Sequence, residues 1–190
     1  HYARKAFPQA SEEELLKRTE LAHAMLHTLR GVPVLYSGDE QGFIGDGVDQ
    51  DAREDMFASK TAVYNDNDLL GTDATTADSN FDNQHSLYRA FQKLAKLRQQ
   101  YVALRRGRQV IRTYHEKPGL FAVSRIDAAS GQEVVAVFNT SSETLKANVE
   151  LDPKTSVLET LAGNCPAAVR APGSASFAIA PFGYAVCLAK

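Results

Sequence analysis

The stretch Gly31-Val-Pro-Val-Leu-Tyr-Ser-Gly-Asp-Glu-Gln-Gly42 decides how the rest of the chain is read. Gly31 predicts a helix stop, because glycine enters the left-handed region without steric cost. Val32 to Tyr36 is a short apolar run, the pattern of a parallel strand covered on both faces. Pro33 stands near its start, where a missing N–H is tolerated. Gly38-Asp39-Glu40 then places carboxylates just past the carboxyl end of the strand, the end at which β/α folds carry their sites.

Upstream, Ser11-Glu-Glu-Glu14 has the form of a capping box, with Ser11 as the cap and Glu14 reaching back. It opens a helix expected to run to about Arg30. Leu15, Leu16, Thr19, Ala22, Leu26 and Leu29 outline its buried face. His23 and His27, four apart, share one face, but the sequence between them is Ala-Met-Leu. The Glu of a His-Glu-x-x-His metal motif is absent, and packing histidines are expected.

Downstream, residues 43–83 form a connection too long to be plain, and such loops carry function or disorder. Its first part is rich in Gly and Asp. Residues 63–83 contain many Asp and Thr and no Lys or Arg. Asp66-Asn-Asp68-Leu-Leu-Gly71 lacks the ligand pattern of an EF-hand, and only a loosely bound calcium is left open for this acidic loop. No cofactor is required. A second helix is expected from about Gln84 to Arg106. Leu87, Phe91, Leu94, Leu97, Tyr101 and Leu104 give its apolar stripe, and Gly107 ends it. His85 and His115 carry no site signal.

From Gln109 the period falls to two. Strands are expected over 110–114, 120–126, 133–138, 144–151, 156–161, 174–179 and 184–188, separated by turn residues such as Lys117-Pro-Gly119 and Pro181-Phe-Gly183. Seven short strands at this spacing predict an antiparallel sandwich, with a domain boundary near Gly107.

The 190 residues are 44% hydrophobic, enough for a substantial core. A net charge of −2 and a pI near 6.2 point to neither nucleic acid nor an anionic membrane. No apolar run is long enough to span a bilayer. The first residues, His1-Tyr-Ala-Arg-Lys-Ala-Phe-Pro8, have no apolar leader segment and no initiator Met, so the chain reads as one whose start has been cut away. Cys165 and Cys187 match no zinc or redox spacing. Two isolated buried thiols are the first expectation, and a disulfide, which would need a secreted parent, is the second. The absence of Trp argues against a stand-alone sugar-binding module.

The motif from Gly31 to Glu40 resembles the eighth-strand segment of the α-amylase family of glycoside hydrolases, Gly-x-Pro-x-x-Tyr-x-Gly-Asp-Glu. Leu94 to Gly107 looks like the last barrel helix of that family. Phe121-Ala-Val-Ser-Arg125 and Val134-Val-Ala-Val-Phe-Asn139 look like the opening of its C-terminal β-sandwich, domain C. Pro181-Phe-Gly-Tyr-Ala-Val186 is similar to the closing strand of that domain. The resemblance implies an α+β architecture. Residues 1–107 would be a remnant of a (β/α)8 barrel: helix, strand eight, long loop and helix. Residues 108–190 would be the antiparallel domain C sandwich.

The resemblance also implies what lies elsewhere. The family nucleophile, an Asp, follows barrel strand four, the acid/base Glu follows strand five, and a further Asp follows strand seven. This chain starts after them, so no catalytic residue is expected within it, and Asp39 and Glu40 are given a structural role at the strand end. Asp49-Gln-Asp-Ala-Arg53-Glu-Asp-Met56 looks like the Asp-x-Asp-x-Arg-x-x-Met loop of cyclomaltodextrinase-type members. There the Asp and Arg line the glycone side of the cleft, which makes Asp49 and Arg53 the expected substrate contacts. Gln50 and Ala52 stand where those members carry Pro and Cys, which leaves the subfamily open. Asp46, Asp51 and Asp55 are expected to be solvated charges.

The reading is therefore the C-terminal portion of a retaining glycoside hydrolase or transglycosylase. Its substrate would be an α-linked glucose oligosaccharide or a sucrose-like sugar, and an extracellular or periplasmic parent is favoured. The 190 residues alone would be inactive. A carbohydrate-binding or structural module without catalysis is the alternative. An orphan barrel strand would expose its edges, so self-association, or association with the missing barrel, is expected.

Overall fold

A computed structural model describes residues 6–45, 49–50, 52–170 and 173–190. The chain divides into two compact units, His1–Glu20 with Val34–Lys93, and Leu21–Pro33 with Leu94–Lys190.

Helix α1 spans Glu12–Thr28. Ser11 Oγ accepts the Glu14 N–H at 3.2 Å, as the cap requires. The return bond of the capping box is replaced by an ion pair, because Glu14 Oε1 lies 2.8 Å from Arg18 Nη2 one turn on. In the first unit, Leu15 of α1 packs with Ile44, Leu70, Leu87 and Phe91.

Helix α2 spans Ser86–Gln100 and a short helix α3 spans Val102–Arg106. The single helix expected over 84–106 is broken at Tyr101, whose backbone is extended (φ −100°, ψ 112°). The Arg105 guanidinium donates to the carbonyls of Arg98, at 3.2 Å, and Gln99, capping the end left open by the break. Tyr101 stays buried on the apolar stripe, which is why periodicity runs through the break unaltered.

Among its described residues the second unit holds seven strands: β1 Arg108–Thr113, β2 Leu120–Ile126, β3 Glu133–Asn139, β4 Leu145–Glu150, β5 Leu158–Ala162, β6 Ser174–Ile179 and β7 Tyr184–Ala189. They form an antiparallel five-stranded sheet in the order β1-β2-β3-β7-β5 and a two-stranded sheet β4-β6. Side chains alternate across the larger sheet. Ala122, Val135, Val137, Ala185 and Cys187 face a core shared with Val149, Leu151, Phe177 and Ile179 around the smaller sheet. Val123, Val134, Ala136, Phe138 and Val186 face the other way, onto Leu21 and Ala24 of α1, Leu94 and Leu97 of α2, and Leu104 of α3. The central strand β3 is thus buried at every position. That explains its unbroken apolar run, Val134 to Phe138.

Three expectations are corrected. Residues 32–36 form no strand, and Val32 and Val34 are 83% and 78% exposed. A strand exists only through its ladder partners, and the described residues provide none for this run. The buried face of α1 beyond Glu20 is Leu21, Ala24, His27 and Thr28, while Ala22 is exposed. Apolar residues surround that half of the helix, so spacing alone did not fix which side faces inward. Finally, Cys165 and Cys187 form a disulfide with Cα atoms 6.0 Å apart, rather than two free thiols. Cys165 lies in the connection after β5 and Cys187 in the core strand β7, and sequence spacing cannot show such proximity.

Candidate functional site

The candidate site lies in the first unit and is built from the turn after residue 36. Gly38 (φ 98°) leads into a single turn of 3-10 helix, Asp39–Gln41, and Gly42 (φ 73°) ends it. A Cβ on Gly38 would lie 2.3 Å from the Phe43 ring, so the turn needs glycine for space as well as for conformation. Asp39 Oδ2 accepts the Tyr36 N–H at 3.1 Å, and Glu40 Oε2 accepts the Gly38 N–H at 3.1 Å. Both carboxylates hold the turn together. Burial raises the Asp39 carboxyl above its usual range, partly offset by the Tyr36 N–H.

Gln41, buried, closes the base of the long loop. Its Nε2 donates to the Asp82 carbonyl at 3.1 Å and its Oε1 accepts the Asp82 N–H at 2.9 Å. His85 Nδ1 accepts the Leu87 N–H at 3.2 Å, which leaves Nε2 to donate to the Leu70 carbonyl at 3.0 Å. Neither role is visible in the sequence, because both depend on partners many residues away.

Within the loop, Thr76 Oγ1 donates to the Tyr64 carbonyl at 2.7 Å, and Asn65 Nδ2 to the Ser59 carbonyl at 2.9 Å. Asn80 Nδ2 reaches the carbonyls of Thr75 and Asp78 at 3.0 and 2.9 Å. The Thr- and Asn-rich composition thus supplies the loop's internal wiring.

A cleft of about 420 Å³ opens above the turn, lined by Tyr36, Asp39, Phe43, Asp49, Ala52 and Glu54 among others. Asp49 and Arg53, the expected substrate contacts, are brought together as an ion pair in which the guanidinium donates to Asp49 Oδ2. That hydrogen bond and the carboxylate charge raise the Arg53 pKa. Both side chains are exposed, so the pair adds little stability. Its geometry does something else: it fixes the direction of the Asp49 carboxylate while leaving acceptor capacity for hydroxyl groups at the cleft. Glu54, buried beside Gly45, is a lining residue that the sequence reading did not single out. Asp55 is exposed, as expected for a solvated charge, and Asp46 and Asp51 lie outside the described residues.

His23 and His27 belong to the second unit. His27 is buried, with Nδ1 2.8 Å from the His23 carbonyl. Among the described residues no group of three or more His, Cys, Asp or Glu side chains is placed to hold a metal ion. No helix among them is long and apolar enough to cross a membrane.

The family model for the α-amylase catalytic domain matches residues 5–107. The chain belongs to the α-amylase family. An α-amylase from Streptomyces lividans is 48% identical over 132 residues, which cover 70% of this chain and 14% of that protein. Among solved structures, an Anoxybacillus α-amylase superposes with a TM-score of 0.65 at 24% identity, covering 92% of this chain and 32% of that one. The α-amylase of Geobacillus thermoleovorans, solved in complex with acarbose, gives 0.66 at 22% identity, covering 92% of this chain and 33% of that one. This chain thus spans about 14% of the Streptomyces protein and about a third of each of the two solved enzymes. At these identities the structural matches speak for the fold: the end of the catalytic barrel followed by an antiparallel β domain.

Proposed function

We propose that this chain is the C-terminal part of the barrel, with domain C, of a retaining enzyme that acts on α-linked glucose oligosaccharides. The supporting observation is the Asp49–Arg53 pair on a cleft in the part of the chain that matches the catalytic domain. Retaining hydrolysis needs two carboxylates about 5 Å apart across the scissile bond. Asp39 and Glu40 do not fill that role, since each is bonded to the backbone of its own turn. The nucleophile and acid/base are therefore assigned to the rest of the barrel. Asp49, steered by Arg53, accepts hydroxyl protons of a glucose ring on the glycone side. The bare run Val32 to Tyr36 is the surface on which the rest of the barrel sits, and in isolation the same run drives association. The chemistry needs no cofactor. The Cys165–Cys187 bond suits an oxidising compartment, which supports the reading of a parent enzyme outside the cytoplasm.

The test is the kinetics of Asp49→Asn and Arg53→Ala in the enzyme that carries this chain, with a maltooligosaccharide as substrate. We expect kcat/KM to fall about 10- to 100-fold, the loss of one charge-assisted contact of roughly 1.5–3 kcal/mol. Thermal stability should not change, because the pair is exposed. Unchanged kcat/KM in both variants would remove these residues from the site.

A further inference from the structure

Phe57 and Phe81 are 70% and 57% exposed, yet their rings meet edge to face at a centroid distance of 5.0 Å and an interplanar angle of 62°. They stand on two loop segments tied side by side. Asn80 N–H donates to the Met56 carbonyl at 2.8 Å, Ser59 N–H to the Thr76 carbonyl at 2.8 Å, and Ala58 N–H to Ser79 Oγ at 3.3 Å. Neither ring lines the cleft that holds Asp49. The loop thus fixes an aromatic pair on its surface instead of folding it into the core formed by Leu15, Leu70 and Phe91.

We propose that the Phe57–Phe81 pair is a second carbohydrate-binding platform, on which a glucose unit of an α-glucan chain stacks outside the catalytic cleft. This rests on the reading of the enzyme as α-glucan-active. A pyranose ring offers a face of C–H groups that packs on an aromatic face, while its hydroxyl rim needs hydrogen-bond acceptors. The edge-to-face pairing fixes the tilt of one ring and leaves a ring face open. The rim suits hydroxyl groups, for Asp55, Asp78, Ser79 and Asp82, beside the two rings in sequence, are all exposed. An apolar protein segment laid over this patch would have to strip water from those carboxylates, which is costly without cationic partners. An anionic ligand would be repelled by them. A neutral polyhydroxylated chain meets both the apolar face and the acceptors.

The test uses the enzyme that carries this chain, with Phe57→Ala, Phe81→Ala and the conservative Phe57→Tyr and Phe81→Tyr. Retardation in native gels containing amylopectin reads glucan binding, turnover of a short maltooligosaccharide reads the catalytic cleft, and a thermal melt reads folding. We expect the alanine variants to bind amylopectin about tenfold more weakly, and the tyrosine variants to bind like wild type. Turnover of the short substrate should stay within about twofold and the melt should not move. Unchanged retardation in the alanine variants overturns the proposal. If the melt falls at the same time, another protein segment covers the pair. Wild-type enzyme that is retarded by amylopectin but cleaves no α-glucan would refute the enzymatic reading and leave the platform standing.

Discussion

Arg125 is 1% exposed, in β2, on the sheet face that packs against the helices. Its Nη1 donates to the Thr28 carbonyl at 2.7 Å and its Nη2 to the Gly107 carbonyl at 2.9 Å. Arg98 reaches the neighbouring carbonyl of His27 at 2.8 Å and that of Gly31. Two guanidiniums thus satisfy the open carbonyls at the C-terminus of α1, where the helix dipole also favours cations. Burial, and then the nearby charges of Arg98 and Arg30, lower the Arg125 pKa, and its Nε has no hydrogen-bond partner among the described residues. Arg125→Met keeps much of the side-chain volume, removes both donors and strands two carbonyls. Each stranded group costs about 1–3 kcal/mol, or roughly 2–6 kcal/mol together. Relief of the desolvated charge offsets part of that, so we expect a net loss of about 2–4 kcal/mol. Urea unfolding of the 190-residue chain, followed by circular dichroism, reads it directly. With a slope of about 2 kcal/mol/M, the midpoint should fall by about 1–2 M. Arg125→Lys, able to serve one carbonyl, should lie between. A loss below about 0.5 kcal/mol for Arg125→Met would refute the idea that these bonds secure the end of α1.

Further outcomes follow from other parts of the structure. Reducing the Cys165–Cys187 bond, which spans 22 residues, should destabilise the second unit by about 3 kcal/mol, seen as a lower melting temperature in reductant. Gly42→Ala should cost about 1–3 kcal/mol, because φ is 73° and the new Cβ would lie 2.5 Å from the Leu70 carbonyl oxygen; an unchanged melt would contradict the tight turn. His27 has its pKa lowered from 6.5, chiefly by burial, with the Arg98 charge adding to the effect and the His23 carbonyl opposing it. As pH falls below about 6.5, the unfolded chain takes up a proton that the folded chain refuses, so stability should drop towards the lowered folded pKa. Comparing denaturation of wild type and His27→Gln between pH 7.5 and 5 isolates this group, and identical pH slopes would contradict the burial of a neutral ring.

Much of this architecture was legible in local chemistry. Strands 120–126 and 174–179 were read to the residue, because alternation and turn residues bound them on both sides. Ser11 marked the start of α1 through a bond formed within a single turn. What escaped depends on distant partners. The run from Val32 to Tyr36 has the composition of a buried strand but no ladder among the described residues. The Cys165–Cys187 contact, the Gln41–Asp82 bridge and the burial of Arg125 against Thr28 all join residues far apart in sequence. Arg125 is the instructive case: an Arg at an inward position of a strand signals that carbonyls or carboxylates await it on the facing layer. At the site, the resemblance of residues 49–56 to the Asp-x-Asp-x-Arg-x-x-Met loop pointed to Asp49 and Arg53, which the structure pairs, whereas Glu54 gave no periodic signal and became visible only through its burial.

The central claim is that this chain completes a retaining, α-glucan-active barrel. The most direct measurement is proton NMR of the first product released from a maltooligosaccharide by the enzyme that carries it. The account predicts that the α-anomer appears first and mutarotates afterwards. Initial release of the β-anomer, or no cleavage of any α-linked glucan, would contradict it.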